Sequence, residues 1–126
     1  MSKNKIKLQD KILIAGGGGM VGSAIYREMI KKGYGNKKNN GEIYMPTRKQ
    51  LNYKDNDEVR EWFKKFSPNV VIIAAAKVGG ILANNKYPAD FISQNLYIQL
   101  NIIDSAFKAG VKKLLFLGSS CIYPKF

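Results

Sequence analysis

The sequence predicts an α/β fold, a parallel sheet with helices on both faces, and three observations predict it. Short apolar runs such as Lys11–Ala15 and Val70–Ala74 have the length and composition of buried parallel strands. Segments with apolar residues at helical spacing separate them. The first run opens directly into Gly16-Gly17-Gly18-Gly19-Met20-Val21-Gly22, and a helical pattern follows at once. A βαβαβαβ order with helical crossovers implies right-handed connections.

Each element has its own signal. Lys11 to Ala15 is the first strand. Val21, Ala24, Ile25 and Met29 then recur at helical spacing, and Gly33 is a natural stop. Gly33 to Gly41, thick with Lys, Asn and Gly, reads as a surface loop, and Glu42 to Pro46 as a short second strand. Asp55 or Asn56 caps a helix carrying Val59, Trp62, Phe63 and Phe66 on one side. Pro68 breaks it, and Val70 to Ala74 is the clearest buried strand. A long helix is expected from about Pro88 to Ala109, with Ile92, Leu96, Leu100, Ile103 and Phe107 in one stripe. Gly110 ends it in a left-handed cap, and Leu114 to Leu117 is the fourth strand. About four strands make an incomplete Rossmann-like sheet, since the six-stranded dinucleotide fold usually sets strand four beside strand one. Residues 1–126 therefore read as one truncated nucleotide-binding domain, with no repeat and no second domain.

Bulk composition excludes several classes. No apolar run approaches the ~18 residues of a membrane span, and the polar amino terminus lacks the apolar core of a signal peptide. Cys121 is the single cysteine and there is no histidine, which leaves a zinc or haem site without ligands and fits a reducing cytoplasm. The net charge of +12 raises nucleic-acid binding as a candidate. The excess lies in scattered stretches, at both termini, Lys31 to Lys38, Arg60 to Lys65 and Lys112-Lys113, with no interleaved aromatic pattern. The expectation is no nucleic acid and no membrane partner, and a basic surface suited to phosphate-rich ligands.

The glycine loop carries the strongest chemical signal. A phosphate must approach backbone N–H groups closely at a helix N-terminus, where side chains would obstruct it and the helix dipole favours negative charge. Gly17, Gly19 and Gly22 give GxGxxG, and Gly16, Gly19 and Gly22 give GxxGxxG. Strand register favours the second, and Gly19 and Gly22 serve in either. A plain βα turn is the bland alternative, but a run of four glycines costs more backbone entropy than one turn requires. A carboxylate ending the second strand would favour NAD, whereas here Thr47-Arg48-Lys49 stands there. The Arg48 guanidinium can hold the extra phosphate of NADP by paired hydrogen bonds.

The third and fourth strands end in small residues. Ala74, Ala75 and Ala76 let a cofactor lie across the strand ends, although close helix packing also wants alanine. Gly118-Ser119-Ser120-Cys121 follows Leu117. A serine there can stabilise charge developing on a substrate carbonyl, and a cysteine of shifted pKa can move protons. In isolation, a turn with a small buried thiol is the preferred reading of those residues.

Taken together, AAAKVGGI, YPADFI and LFLGSSCIYPK, with the segments Ala15 to Ala24 and Pro46 to Asn52, resemble the GDP-L-fucose synthase family of extended short-chain dehydrogenase/reductases. The resemblance implies 3,5-epimerisation of GDP-4-keto-6-deoxy-D-mannose followed by NADPH-dependent reduction of its C4 ketone, in a homodimer. It implies that Gly16 to Gly22 cradle the pyrophosphate, that Arg48 holds the adenosine phosphate, and that Leu51 and Asn52 are also cofactor-binding. Leu117 to Ser120 would line the nicotinamide side, and Ala74 to Ala76 would be cofactor-binding. Ser119 would hydrogen-bond the ketone, and Cys121 would be the proton-transferring base of epimerisation.

The chain departs from the family at Gly17 and Gly18, where bulkier residues are common, and in a longer link from Lys31 to Glu42. The family's Tyr-x-x-x-Lys pair, its catalytic histidine and its substrate domain are expected after Phe126. The chain alone is accordingly expected to be inactive. A non-catalytic dinucleotide-binding remnant is the alternative; it would need neither Ser119 nor Cys121.

Overall fold

Strand β1, Lys11–Ala15, is central to the sheet, and Ile12, Leu13, Ile14 and Ala15 are all fully buried there. The computed structural model describes residues 5–74 and 88–117. After β1 come α1 (Met20–Lys31), a 3-10 turn (Lys37–Asn39), β2 (Glu42–Tyr44), α2 (Asn56–Phe66), β3 (Val70–Ile73), α3 (Pro88–Lys108) and β4 (Lys113–Phe116). All pairings are parallel, and the strand order is β2-β1-β3-β4.

That order differs from the usual six-stranded one. Strand three, not strand four, lies beside strand one, because no strand forms between β2 and α2. Residues 47–55 run instead as turns, closed by the Gln50 N–H to the Thr47 carbonyl (3.0 Å) and the Asp55 N–H to the Asn52 carbonyl (3.0 Å). The chain leaves β1 toward β2, then crosses back to β3 on the other side. The topological switch point therefore lies between the carboxyl ends of β1 and β3, the place where open α/β sheets bind ligands.

Alternation along each strand divides the core into two layers. Ile12, Ile14, Val70 and Ile72 face α1, where Ile25, Tyr26 and Met29 cover them. Leu13, Ala15, Val71 and Ile73 face α2 and α3, meeting Val59, Trp62, Phe63, Ile102 and Ala106. Fully burying each large aliphatic side chain contributes about 1.5–3 kcal/mol. Helix α2 starts at Asp55, whose Oδ1 accepts the N–H groups of Asp57 (3.0 Å) and Glu58 (3.2 Å). It ends at Ser67 in the left-handed region (φ 46°).

Helix α3 follows a different face from the expected stripe. It buries Ile102, Ser105 and Ala106, while Leu96, Leu100, Ile103 and Phe107 face outward, Phe107 at 85% exposure. The helix is apolar on more than one side, so its period alone did not select the face that packs; Ile92 lies outside the described side chains. Among the described residues no helix is long and apolar enough to cross a membrane.

Candidate functional site

Strand β1 delivers the chain to the glycine loop at the switch point. Gly16 adopts φ 89°, a region that L side chains rarely enter. Its carbonyl accepts the Gly19 N–H at 3.1 Å, folding the loop back so that α1 starts immediately beyond it. Gly22 is buried in the first turn of α1. A Cβ there would overlap the Gly16 carbonyl oxygen and lie 2.8 Å from the Gly16 carbonyl carbon and 2.9 Å from Gly17 Cα. Helix and loop therefore touch backbone to backbone.

What this geometry leaves open is a helix N-terminus. Gly19 is the N-cap, no side chain caps α1, and its first turn holds no acid. The N–H groups at that end keep the partial positive charge that attracts an anion. Gly18 has nothing within 4 Å of a Cβ position, and Gly19 only the Gly16 oxygen at 3.5 Å, so phosphate oxygens can approach the backbone. Met20 and Val21 are exposed beside them, at 88% and 55%. The residues present fit a pyrophosphate.

Arg48 sits in a turn beyond the carboxyl end of β2. The Gln50 side chain accepts the Thr47 N–H at 2.8 Å, and the Thr47 carbonyl accepts the N–H groups of Gln50 and Leu51. Arg48 and Lys49 occupy the middle of this turn, exposed and free of ion pairs among the described residues. Leu51, only 1% exposed, belongs to the core. Asn52 turns its Oδ1 to the Lys54 N–H (3.1 Å) and gives its own N–H to Glu58 (2.9 Å). One residue on, the Tyr53 carbonyl accepts Asn101 Nδ2 from α3 at 2.9 Å, tying this segment to the helical layer. Burial pushes the Tyr53 hydroxyl well above its ordinary value, so it stays protonated. Burial, and then the charge of Glu42, also raises Tyr44.

Ala74, just past β3, gives its N–H to the Ala15 carbonyl at 2.8 Å, while Leu117, just past β4, gives its N–H to the Ile73 carbonyl at 3.2 Å. The loops after β1, β3 and β4 thus leave the same edge of the sheet. Ala75, Ala76, Gly118, Ser119, Ser120 and Cys121 lie outside the described residues.

The sequence reading passed over three features. Met45 packs over Gly17, with its Sδ 2.6 Å from where a Cβ would stand, and so occupies space that a bulkier residue 17 would need. The alternation Ile43-Tyr44-Met45 was the available signal, since it turns Ile43 and Met45 toward α1. The second is an open groove of about 1070 Å³ along the free edge of β2, lined by Tyr44, Lys49, Leu51, Glu58, Trp62 and Phe66 among others. It borders the Arg48 turn but does not reach the glycine loop. The third is a Tyr-x-x-x-Lys spacing within the chain, Tyr34 to Lys38. It lies in the loop and 3-10 turn before β2, at the opposite end of the sheet from the glycine loop, and so it is not a catalytic pair.

The model of the NAD dependent epimerase/dehydratase family matches residues 12–126. The chain is 53% identical over 116 residues to GDP-L-fucose synthase 1 of Arabidopsis thaliana, covering 92% of this chain and 34% of that protein. It is 50% identical over 117 residues to GDP-L-fucose synthase of Escherichia coli strain K12, covering 93% and 35%. Among solved structures, a GDP-mannoheptose C4 reductase from Campylobacter jejuni with NADP bound superposes with a TM-score of 0.85 at 37% identity, covering 95% of this chain and 36% of that one. The chain thus spans about a third of the length of the curated relatives it matches.

Proposed function

The chain belongs to the NAD dependent epimerase/dehydratase family, and from that premise we propose that it is the NADP-binding part of a GDP-L-fucose synthase. The whole protein would convert GDP-4-keto-6-deoxy-D-mannose to GDP-L-fucose by 3,5-epimerisation and NADPH-dependent 4-reduction. The observation that carries the reading is the uncapped start of α1 at the β1/β3 switch point, with Arg48 presented beyond β2. An anion-ready helix end, together with a guanidinium that makes no ion pair among the described residues, matches a dinucleotide with an extra phosphate on its adenosine ribose.

In this reading the backbone from Gly16 to Gly22 holds the pyrophosphate and Arg48 the adenosine phosphate. NADPH, when bound, supplies the hydride. Leu117 to Ser120 flank the nicotinamide side, and Ala74 to Ala76 let the cofactor lie across the strand ends. Ser119 donates a hydrogen bond to the C4 oxygen, which bears negative charge both in the enolate of epimerisation and in the alkoxide of reduction. Cys121 removes protons from carbons that the C4 ketone acidifies. The homodimer that the resemblance implies has an apolar surface available in the outward stripe of α3.

The test follows solvent deuterium during turnover of GDP-4-keto-6-deoxymannose with NADPH by the whole protein. Deuterium should enter at C3 and C5, and Cys121→Ser should suppress it while NADPH oxidation continues to an unepimerised sugar. Undiminished exchange in Cys121→Ser would remove the cysteine from the reaction, and a parent protein that neither exchanges nor oxidises NADPH would refute the function.

A further inference from the structure

The lysines that look scattered in the sequence converge on one end of the molecule, the amino ends of the strands, opposite the glycine loop. Segment 5–10 packs there against the loop before β2: Leu8 Cδ2 lies 3.5 Å from a Cβ position on Gly33, and the Leu8 carbonyl sits against Gly41. Lys112 Nζ reaches back to Asp10 Oδ2 (2.7 Å) and to the Lys5 carbonyl (3.1 Å). The turn after α2 joins them, with the Lys11 N–H on Asn69 Oδ1 (2.8 Å) and the Lys112 N–H on the Asn69 carbonyl (2.9 Å). The basic stretches at 5–11, 31–38, 64–65 and 112–113 are therefore brought to a single face.

Acids on this face are largely spoken for. Glu28, Glu61, Asp104 and Asp10 pair with Lys32, Lys64, Lys108 and Lys112. Lys5, Lys7, Lys11, Lys31, Lys37 and Lys38 are exposed and make no ion pair among the described residues. Most of these come from loops and strand starts, so compensation of helix dipoles does not account for them.

We propose that this face docks the protein onto the surface of an anionic lipid bilayer. Its free cations are all lysines, point charges suited to a diffuse anionic surface; none is an arginine with the paired donors that read a particular phosphate or base. They come from the end of α1 and from the segments that lead into β1 and β2, neighbouring strands about 4.8 Å apart, which makes a broad face and not a groove. Leu8 and Ile30, 40% and 44% exposed, stand among the lysines, with apolar surface that headgroups accommodate and water does not. Docked in this way, the protein keeps the glycine loop and Arg48 turned to water.

Sedimentation of the purified chain with vesicles tests the proposal. It should bind vesicles containing phosphatidylserine, not phosphatidylcholine alone, and release as salt shortens the Debye length from about 10 Å at 0.1 M to about 3 Å at 1 M. Lys37→Gln/Lys38→Gln should lower partitioning about thirty-fold, at roughly five-fold per lysine. Lys49→Gln/Lys54→Gln removes the same charge from the turns after β2, at the other end of the sheet, and should change it only a few-fold. All four side chains are exposed, and unchanged melting curves confirm intact folds. Equal losses in the two doubles, or no preference for phosphatidylserine, would overturn the proposal. Tighter binding to RNA or duplex DNA with the same dependence on Lys37 and Lys38 would also overturn it, assigning the face to nucleic acid.

Discussion

Replacing Gly22 by alanine tests whether the glycine loop is locked by backbone contact, as the geometry requires. The new methyl would overlap the Gly16 carbonyl oxygen and stand 2.8–2.9 Å from two further backbone atoms. None of these can swing aside as a side chain would, so the first turn of α1 must shift away from the end of β1. Overpacking of this kind costs typically 1–3 kcal/mol, and with rigid neighbours the upper end applies. Alanine's better helix propensity returns up to about 1 kcal/mol, leaving a net loss of about 2 kcal/mol. For a chain of 126 residues the unfolding entropy near the midpoint is about 0.26 kcal/mol/K, so the melting temperature should fall by about 8 °C. Gly18→Ala is the control. Nothing lies within 4 Å of its Cβ position and its φ is not positive, so its melt should stay within about 0.5 kcal/mol of the parent. Thermal unfolding followed by circular dichroism reads both. A Gly22→Ala protein melting at or above the parent would refute the close approach and with it the shape of the proposed phosphate cradle.

Two other substitutions probe the two ends of the sheet. Arg48→Ala should weaken NADPH binding by roughly 1.5–3 kcal/mol and leave NADH nearly unchanged, measured by calorimetric titration of both cofactors, since only NADPH offers the extra phosphate. Equal losses would place Arg48 away from the adenosine ribose. Asp10→Ala strips Lys112 Nζ and the Lys7 N–H of an acceptor that each meets at 2.7 Å, on a carboxylate side chain only 7% exposed. It should cost about 2–3 kcal/mol in urea unfolding, and a loss below about 0.5 kcal/mol, the range of featureless surface changes, would show that this ion pair does not hold the amino-terminal segment.

What the sequence disclosed depended on how local each signal was. Lys11–Ala15 and the cap at Asp55 were readable because each is decided within a few residues, by apolar run length or by one side chain reaching the next turn. The glycine loop was readable for the same reason, since strand, loop and helix are contiguous. The strand order was not, because nothing near Leu51 announces that its segment will turn into the core instead of adding a strand beside β2. Periodicity in α3 named a stripe, but choosing between two apolar faces takes knowledge of the neighbours, and Ile102 and Ala106 won over Leu100 and Phe107. The basic charge shows the same limit most plainly. Lys5, Lys38 and Lys113 are far apart in sequence, so their spacing argued against a common surface. Parallel strands all begin at one end of a sheet, so residues just before β1, β2 and β4 must share that end however distant they are in the chain. The same rule places the loops after β1, β3 and β4 together at the other end. One topological fact thus separates the glycine-loop edge from a lysine face.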